Sequence, residues 1–426
     1  MIIGKLRHEA YALLRKSESF FKTDMVYLAK GGFWLTLGQI VSSVSSFLLA
    51  IAFANLLPKE TYGNYKYILS IMSILAIPTL AGINTALTQA VARGYEGSLI
   101  PALKTKLKWG VWGGTLGLVL ALYYYINGNN ILAISFLITA VFIPFMETLG
   151  VYGSLLNGKK LFRQSTQYYA ISRITSVLIL ITTIFFTNNL FIILLAYFLP
   201  WTILRLVFLL ITIKKFHPND KEDEKTISYG KHLSFVGVAG NISTYLDNIL
   251  LFHYLGAAQV AIYAFAFAPV DQIRSLYKAI PTLAVPKLSN RSVKEIDSIL
   301  YNRLFKLFII GIIIAIIYFL TAPYIFKILF PQYLDSIFFS QLLAVILVLR
   351  LPMSFLGAVV QSKLNITPKS WLYWRMTPHI IFIGTLFIFT PLYGIIGVII
   401  SRIIFLFSTF ILHITQWKLL LQNKQS

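Results

Sequence analysis

The stretch LFKLFIIGIIIAIIYFLTA (Leu304–Ala322) carries one charged side chain, Lys306, in a run dominated by isoleucine, leucine and phenylalanine. A helix needs about 20 mostly apolar residues to cross the hydrocarbon core of a bilayer. Stretches of this kind recur along the chain, separated by short polar breaks. The sequence therefore predicts an all-α polytopic membrane protein.

The composition excludes several other classes of protein. Hydrophobic residues make up 57% of the 426 residues and charged residues 12%, and the mean hydropathy is +0.75. A soluble surface needs about twice that charged share, so a soluble multi-domain protein is a poor interpretation. The chain has no cysteine, which excludes disulfides, thiolate nucleophiles and cysteine-ligated metals.

Hydrophobic patterning predicts twelve transmembrane helices, although ten or fourteen remain open alternatives. Pro269, Asp271 and Arg274 interrupt the eighth, which makes it the least regular. The predicted spans are residues 33–56, 65–91, 107–126, 131–155, 169–186, 190–213, 233–254, 260–282, 304–322, 337–360, 372–390 and 395–416.

The 37 basic residues face only 15 acidic ones, for a formal net charge of +22. The basic residues occur in alternate loops, which is the positive-inside pattern of a membrane protein. A nucleic-acid groove would instead gather them within one domain, so no nucleic-acid partner is expected. The opposite loops hold only Lys59, Lys66 and Lys327. This bias predicts a multi-pass protein of the cell (cytoplasmic or inner) membrane with both termini in the cytoplasm.

The hydrophilic run Lys214–Lys231 divides the chain into two similar halves. Pro144 and Asn157 of span four recur at the same spacing as Pro352 and Asn365 of span ten. Six spans per half return the chain to its starting side, so the copies are parallel. We therefore expect two six-helix lobes, related by a pseudo-two-fold axis along the membrane normal, around a central cavity.

The predicted domains follow from this division. They are a cytoplasmic N-terminal segment (1–32), an N-terminal lobe (33–213), a cytoplasmic linker (214–231), a C-terminal lobe (232–417) and a cytoplasmic tail (418–426). The first segment mixes apolar and basic residues and lacks a signal-peptide cleavage pattern. It is either an interfacial amphipathic helix or a frayed, solvated one.

Polar side chains within the predicted spans are the candidates for function, because an ionisable group in hydrocarbon is costly. Asn241 and Asp247 lie on one polar stripe of span seven. Asp247 either lines a wet cavity, binds a coupling cation or proton, or pairs with an arginine of a neighbouring helix. Glu147 is a second candidate for ion coupling. Span two offers a similar stripe through Asn84 and, at its cytoplasmic end, Arg93.

Arg205 and Arg402 occupy equivalent positions in the two halves. Their planar guanidinium groups suit the oxygens of an anionic substrate, but structural pairing or snorkelling toward the inner surface explains them too. Arg350 leaves the same choice. Arg274 lies near Pro269, where a broken helix would mark a binding site and an interfacial turn is the alternative. The isolated His253 and His413 are interpreted as interfacial.

Catalysis finds no support in the sequence. Glu60 and Asp335 are the acidic residues of the predicted outer loops. The sequence shows no paired outer carboxylates, no metal cluster, no Ser/His/Asp grouping and no phosphate loop of the GxxxxGK type. A membrane glycan-processing enzyme or assembly scaffold is therefore the weakest hypothesis, and we expect no ATP hydrolysis, metal or cofactor.

Two stretches resemble a known family. FANLLPKETYGNYKYILSIMSILAIPTLAGINTALTQAVAR (Phe53–Arg93) and YLDNILLFHYLGAAQVAIYAFAFAPVDQI (Tyr245–Ile273) are similar to spans of the Wzx-type polysaccharide and oligosaccharide flippases. These belong to the multidrug/oligosaccharidyl-lipid/polysaccharide (MOP) exporter superfamily. Pro58 stands where glycine is common in the first turn. The resemblance covers essentially the whole chain.

The resemblance implies a flippase that moves a polyprenyl-pyrophosphate-linked oligosaccharide from the cytoplasmic to the outer leaflet by alternating access. The implied partners are this lipid-linked glycan, membrane lipids, a coupling proton or sodium ion, and a glycan polymerase with its assembly proteins. The alternative is a cation-coupled exporter of drugs or small metabolites on the same fold.

Overall fold

All regular secondary structure in the described part of the chain is helical. The computed structural model describes residues 25–277, 279–289, 291–363 and 371–422. The predicted amphipathic N-terminal segment therefore lies mostly outside the described residues. Its last residues belong to the first long helix, so the predicted boundary after residue 32 falls inside a helix.

The first half of the chain forms eight α-helices. They are α1 (Met25–Leu56), α2 (Lys59–Leu75), α3 (Gly82–Ala92), α4 (Leu99–Ile126), α5 (Asn130–Met146), α6 (Tyr152–Gly158), α7 (Phe162–Phe186) and α8 (Leu190–Phe216). Short 3-10 helices cover Ile77–Thr79, Glu96–Ser98 and Leu149–Val151.

The second half repeats this arrangement, but its helices are interrupted at different positions. Its helices are α9 (Lys225–Leu255), α10 (Ala257–Leu276), α11 (Ala279–Ser289), α12 (Val293–Leu329), α13 (Ser336–Leu343), α14 (Val345–Ser362), α15 (Trp371–Trp374) and α16 (Thr377–Gln422). A 3-10 helix covers Pro331–Tyr333. The predicted linker is shorter than expected, because α8 extends to Phe216 and α9 begins at Lys225.

Within the described residues, nine helical segments are long and apolar enough to cross a membrane, and the bent pair α2 and α3 makes a tenth. Helix α16 has a non-helical residue at Gly394 (φ 57°, ψ −129°), which separates the predicted eleventh and twelfth spans. The predicted eighth span lies on α10 and α11. Within the described residues each of the twelve predicted spans overlaps a helix, although α10 and α11 are not among the segments long and apolar enough to cross a membrane.

The second predicted span is not the continuous helix that its hydropathy suggests. Helices α2 and α3 meet at 44°, and Pro78 and Leu80 (φ 57°) lie in the turn between them. Proline lacks the N–H that a continuing helix needs, and the left-handed backbone at Leu80 ends the helical path. Pro269, by contrast, lies inside α10, which ends only at Leu276.

The same helix pairs pack together in both halves. In the first half α1 packs against α7, α4 against α5, and α5 against α8. In the second half α9 packs against the first part of α16, α12 packs against α14, and α14 packs against α16. These are equivalent pairs in the predicted repeat, and they form the two lobes, which we call the N lobe and the C lobe.

The two lobes meet tightly at the ends of the helices farthest from the linker, which we call the hairpin side. Tyr62 stacks on Phe265 with ring centroids 4.5 Å apart. Lys59 forms an ion pair with Asp335 at 2.9 Å, and Asn55 donates a hydrogen bond to the Leu329 carbonyl at 3.0 Å. Aromatic stacking, an ion pair and a hydrogen bond between the lobes therefore close the hairpin side.

On the opposite face, the linker side, the connection between the lobes packs against the N lobe. Asp223 accepts a hydrogen bond from Arg93 at 2.5 Å, and its backbone N–H donates to the Ser98 hydroxyl at 2.9 Å. Helices α3 and α9 touch backbone to backbone, because a Cβ on Gly82 would lie 2.5 Å from the Ser234 nitrogen. The linker-side end of α9 is therefore held against the N lobe.

Candidate functional site

A cavity of 1080 Å³ lies between the lobes, with most of its wall in the C lobe. Helices α2, α9, α10, α14 and α16 line it, with a few residues from α5 and α8. Gln361 and Pro378 lie next to the linker-side ends of α14 and α16. The cavity therefore extends from the middle of the helices toward the linker side, while the hairpin side is closed. We call it the central cavity.

The charged residues that line the central cavity are mainly basic. They are the cations Lys66, Arg274, Arg350, Arg375 and Arg402, and the carboxylates Glu147, Asp247 and Asp271. Charges in a membrane protein are retained where they face water, a partner or a substrate. Which of these charges are already neutralised decides what the cavity can bind.

Asp247 and Arg402 neutralise each other. The Asp247 side chain is 1% exposed; it accepts a hydrogen bond from the Tyr263 hydroxyl at 2.7 Å and a charge-assisted one from Arg402. The Arg402 Nε also donates to the Tyr263 oxygen at 2.5 Å, and the guanidinium lies 4.5 Å from the Phe267 ring centroid. Arg402 thus occupies the position that a coupling cation at Asp247 would take. The pairing predicted as one alternative for both residues is what the structure shows.

Asp271 and Arg274 form a second pair on α10, one turn apart. Arg274 also lies 5.4 Å from the Phe267 ring centroid. Both side chains line the central cavity although they are partly exposed. The helix continues through Pro269, so the polar cluster stands on an intact helix and the predicted helix break lies further along, after Leu276.

Three cations of the central cavity have no ion-pair partner among the described residues: Lys66, Arg350 and Arg375. All three are partly buried. A charge withdrawn from bulk water without a counter-ion attracts anions strongly, because the local dielectric constant is low. These side chains give the central cavity an excess of positive charge.

Two histidines also line the central cavity. His379 shares a hydrogen bond of 2.6 Å with the Ser243 hydroxyl. The buried Nδ1 of His413 has no hydrogen-bond partner among the described residues. His413 lies on the cavity face of α16, and its interpretation as interfacial stays a prediction.

Three predicted cavity residues lie outside the central cavity. Arg93 ends α3 at the linker side, where it is exposed and pairs with Asp223. Asn84 follows the bend between α2 and α3, and its buried Oδ1 has no hydrogen-bond partner among the described residues. Arg205 belongs to the N lobe. The role of these three residues in binding substrate stays a prediction.

Arg205 contacts the wall of the central cavity from behind. Its guanidinium donates a hydrogen bond to the Met146 carbonyl, lies 3.7 Å from the Glu147 carboxylate and covers the Trp201 ring at 4.6 Å. Met146 and Glu147 both line the central cavity, and the Glu147 side chain is 47% exposed. Of the two candidate coupling carboxylates, Glu147 is the one that remains open to water.

The structure thus brings together Asn241, Asp247, Arg274 and Arg402 from the predicted set, with Glu147 facing them. Their role in binding or coupling stays a prediction. Sequence reasoning missed Lys66, Tyr263, His379 and Arg375 as wall residues. Lys66 carried a signal that was available, since it was one of only three basic residues in the predicted outer loops.

The fold is shared with known transporters. The crystal structure of a MATE protein in complex with MaD5 has a TM-score of 0.63 and 14% identity, covering 94% of this chain and 97% of that one. The lipid II flippase MurJ in its inward closed conformation has a TM-score of 0.67 and 16% identity, covering 92% and 87%. An inward-facing multidrug resistance MATE transporter of the MOP superfamily has a TM-score of 0.57 and 14% identity, covering 88% and 93%.

Sequence comparison identifies the family. An uncharacterized membrane protein of Methanocaldococcus jannaschii is 24% identical over 347 residues, which cover 72% of this chain and 68% of that protein. The model of the family described as "Polysaccharide biosynthesis protein" matches residues 28–292, more than half of the chain. The resemblance drawn from the two quoted stretches is confirmed. The chain belongs to the polysaccharide biosynthesis protein family and has the fold of the MOP superfamily.

Proposed function

We propose that the protein is a flippase that moves a polyprenyl-pyrophosphate-linked oligosaccharide from the cytoplasmic to the outer leaflet. The observation that carries this proposal is the set of cations in the central cavity that lack an ion pair, Lys66, Arg350 and Arg375. A diphosphate presents several anionic oxygens, which arginine forks and a lysine ammonium bind well.

The remainder of the central cavity suits the sugars of such a substrate. Hydroxyl and amide side chains are interspersed among the charges, namely Ser70, Ser73, Asn241, Thr244, Asn248 and Ser354. These groups both donate and accept hydrogen bonds, as sugar hydroxyls require. The volume of 1080 Å³ exceeds what a diphosphate alone would fill and is at the upper limit of typical small-molecule sites.

The proposed direction of transport is supported by the charge pattern. Lysine and arginine are concentrated on the linker side, which by the positive-inside rule favours a cytoplasmic position for this side. The central cavity extends toward the same side, and the hairpin side is closed by the Tyr62 and Lys59 contacts. A substrate made in the cytoplasm would enter the cavity from this side, and rocking of the lobes would then expose it to the outer leaflet. The family and the MurJ fold support this assignment.

The proposal is tested in vesicles that contain the purified protein and a fluorescent polyprenyl-diphosphate saccharide. A membrane-impermeant quencher reports how much lipid reaches the outer leaflet. Arg350→Gln should slow this movement about tenfold or more, because a lost hydrogen bond to a charged group costs about 1.5–3 kcal/mol. Lys104→Gln is the matched control, since Lys104 is exposed and lies outside the central cavity.

Equal rates for the wild type, Arg350→Gln and Arg375→Gln would contradict the proposed role of these cations. No movement of any polyprenyl-diphosphate saccharide by the wild-type protein, under conditions in which it exports a drug, would remove the flippase function itself. Melting temperatures of each variant show whether a lost activity reflects unfolding.

The exposed Glu147 carboxylate favours one alternative, a cation-coupled exporter of small molecules, which the fold shared with multidrug resistance MATE transporters also supports. Asp247 is a poorer coupling site because Arg402 already neutralises it. This alternative predicts that Glu147→Gln abolishes the dependence of transport on a proton or sodium gradient. A gradient-independent wild type would exclude it.

A further inference from the structure

A second, smaller cavity lies in the N lobe. Helices α1, α6, α7 and α8 line it, and its volume is 330 Å³. This is near the lower limit of small-molecule sites, which span about 300–1,000 Å³. We call it the N-lobe pocket. It has room for one ring-sized ligand, but not for the substrate proposed for the central cavity.

The lining of the N-lobe pocket is polar but almost uncharged. Arg205 is the one charged side chain among its described lining residues, and none of them is a carboxylate. Two aromatic rings, Tyr152 and Trp201, complete the wall. The hydrogen-bonding side chains are Gln39, Ser42, Asn157, Ser165, Thr166, Tyr169 and Ser172.

Part of this hydrogen-bonding capacity is unused. The buried Oδ1 of Asn157 has no partner among the described residues. The Gln39 amide is exposed, and its one hydrogen bond among the described residues is a long contact of 3.4 Å with Ser43. The Tyr169 hydroxyl donates to Ser42 at 3.0 Å, which leaves its own acceptor positions available. Buried polar atoms without partners are rare unless a ligand or water completes them.

One wall of the N-lobe pocket is built by glycine. A Cβ added to Gly153 would meet no atom within 4 Å, although Gly153 lies inside the helix α6. Gly150, one turn earlier, lies against Arg205. A Cβ placed on Gly150 would be 3.3 Å from the guanidinium of Arg205. The space beside Gly153 is therefore open and belongs to the pocket.

The N-lobe pocket is adjacent to the central cavity. Arg205 lines the pocket, while its partners Met146 and Glu147 line the central cavity. The Arg205 and Glu147 pair thus separates the two spaces. A ligand that is bound mainly in the central cavity could place one terminal group in the N-lobe pocket by passing this pair.

We propose that the N-lobe pocket is a saccharide site that holds a single sugar ring, either uncharged or with one acid group near Arg205. Many hydroxyl and amide partners beside aromatic rings match a sugar, whose hydroxyls need hydrogen bonds and whose C–H face packs on aromatic surface. A hydrocarbon chain would leave these polar groups unsatisfied, which is costly. A diphosphate would find a single guanidinium, that of Arg205, and no second cation among the described lining residues. The sugar is the distal residue of the transported glycan, and this last step rests on the proposed function.

The site is tested by binding of free monosaccharides to the full-length protein in a detergent without a sugar headgroup. The probes are neutral hexoses, N-acetylhexosamines and hexuronic acids, and saturation-transfer NMR measures contact. Gly153→Leu should fill the pocket and weaken binding of the best probe at least tenfold, with Gly153→Ala weaker in effect. Gly384→Leu is the matched control, because Gly384 also has open space around it but faces away from both cavities.

Asn157→Ala gives an independent variant, which removes one hydrogen-bond partner and adds no bulk. Failure of the wild type to bind any of the probes would overturn the site, as would unchanged binding by Gly153→Leu and Asn157→Ala. Saccharide binding without leaflet-to-leaflet movement would retain the site and refute the proposed function.

The origin of the sugar has its own test. Gly153→Leu should slow movement of the polyprenyl-diphosphate saccharide but leave movement of the sugar-free polyprenyl diphosphate unchanged. If Gly153→Leu weakens monosaccharide binding but slows neither lipid, or slows both equally, the assignment of the site to the transported glycan is overturned.

Discussion

The two lobes carry the same arginine in different surroundings. Arg402 of the C lobe pairs with Asp247, whose side chain is 1% exposed, while Arg205 of the N lobe lies 3.7 Å from Glu147, whose side chain is 47% exposed. Arg402 is also enclosed by Tyr263 and Phe267, whereas Arg205 covers a single ring, Trp201.

The difference lies in what each arginine has to compensate. A buried carboxylate needs a cation at hydrogen-bond distance, because its desolvation is expensive. A carboxylate that faces an aqueous cavity is already solvated and needs no such partner. The equivalent arginines have therefore diverged: Arg402 stabilises the wall of the central cavity, and Arg205 separates that cavity from the N-lobe pocket.

The largest effect is expected for Arg402→Ala. This change leaves the Asp247 carboxylate buried without a counter-charge, which costs about 3–5 kcal/mol in comparable cases. The protein should melt at a much lower temperature in detergent, and less of it should reach the membrane. The measurement is thermal unfolding of the purified variant, with membrane yield as a second readout.

The double variant Asp247→Asn, Arg402→Gln removes both charges together and is the control for this prediction. It should recover most of the stability, because two neutral amides can still bond to each other and to Tyr263. A single Arg402→Ala variant as stable as the wild type would show that Asp247 is not held by this pair.

Arg205→Ala should have a smaller effect. The variant loses a hydrogen bond to the Met146 carbonyl and the stack on Trp201, together about 1–3 kcal/mol. Glu147 stays solvated and adds no penalty. Thermal unfolding of Arg205→Ala and Arg402→Ala under the same conditions tests whether the first variant loses less stability than the second. Equal losses for the two variants would mean that the exposure of the partner carboxylate does not matter.

Much of the fold could be predicted from sequence because hydrocarbon imposes simple rules. Apolar length gave the positions of the spans, and the repeat of Arg205 and Arg402 indicated two similar halves. The pairing of Asp247 with an arginine of another helix was also foreseen as one alternative, since a buried carboxylate needs a cation. These inferences depend only on the hydrocarbon environment of the bilayer and on local sequence.

The remaining features depend on contacts between distant helices. Helices α2 and α3 meet at 44° after Leu75, near Pro78, yet Pro269 leaves α10 intact, so a proline alone does not predict a break. Lys66, Tyr263 and His379 became wall residues because α2, α10 and α16 meet at the cavity. The N-lobe pocket combines four helices, none of which shows an unusual pattern by itself.

The smallest effect is expected at the hairpin side, where contacts between the two lobes close the central cavity at the end opposite the linker. Lys59→Ala removes an ion pair to Asp335, whose side chain is 69% exposed, so the loss of stability should be about 0–1 kcal/mol. The aromatic contacts of Tyr62 and Phe265 remain and carry more of the closure. Tyr62→Ala should therefore increase labelling of a cysteine placed at the buried Ala261 far more than Lys59→Ala does. If Lys59→Ala increased labelling as much as Tyr62→Ala does, the ion pair would contribute as much to the closure as the aromatic packing. This result would contradict the prediction that packing carries more of the closure.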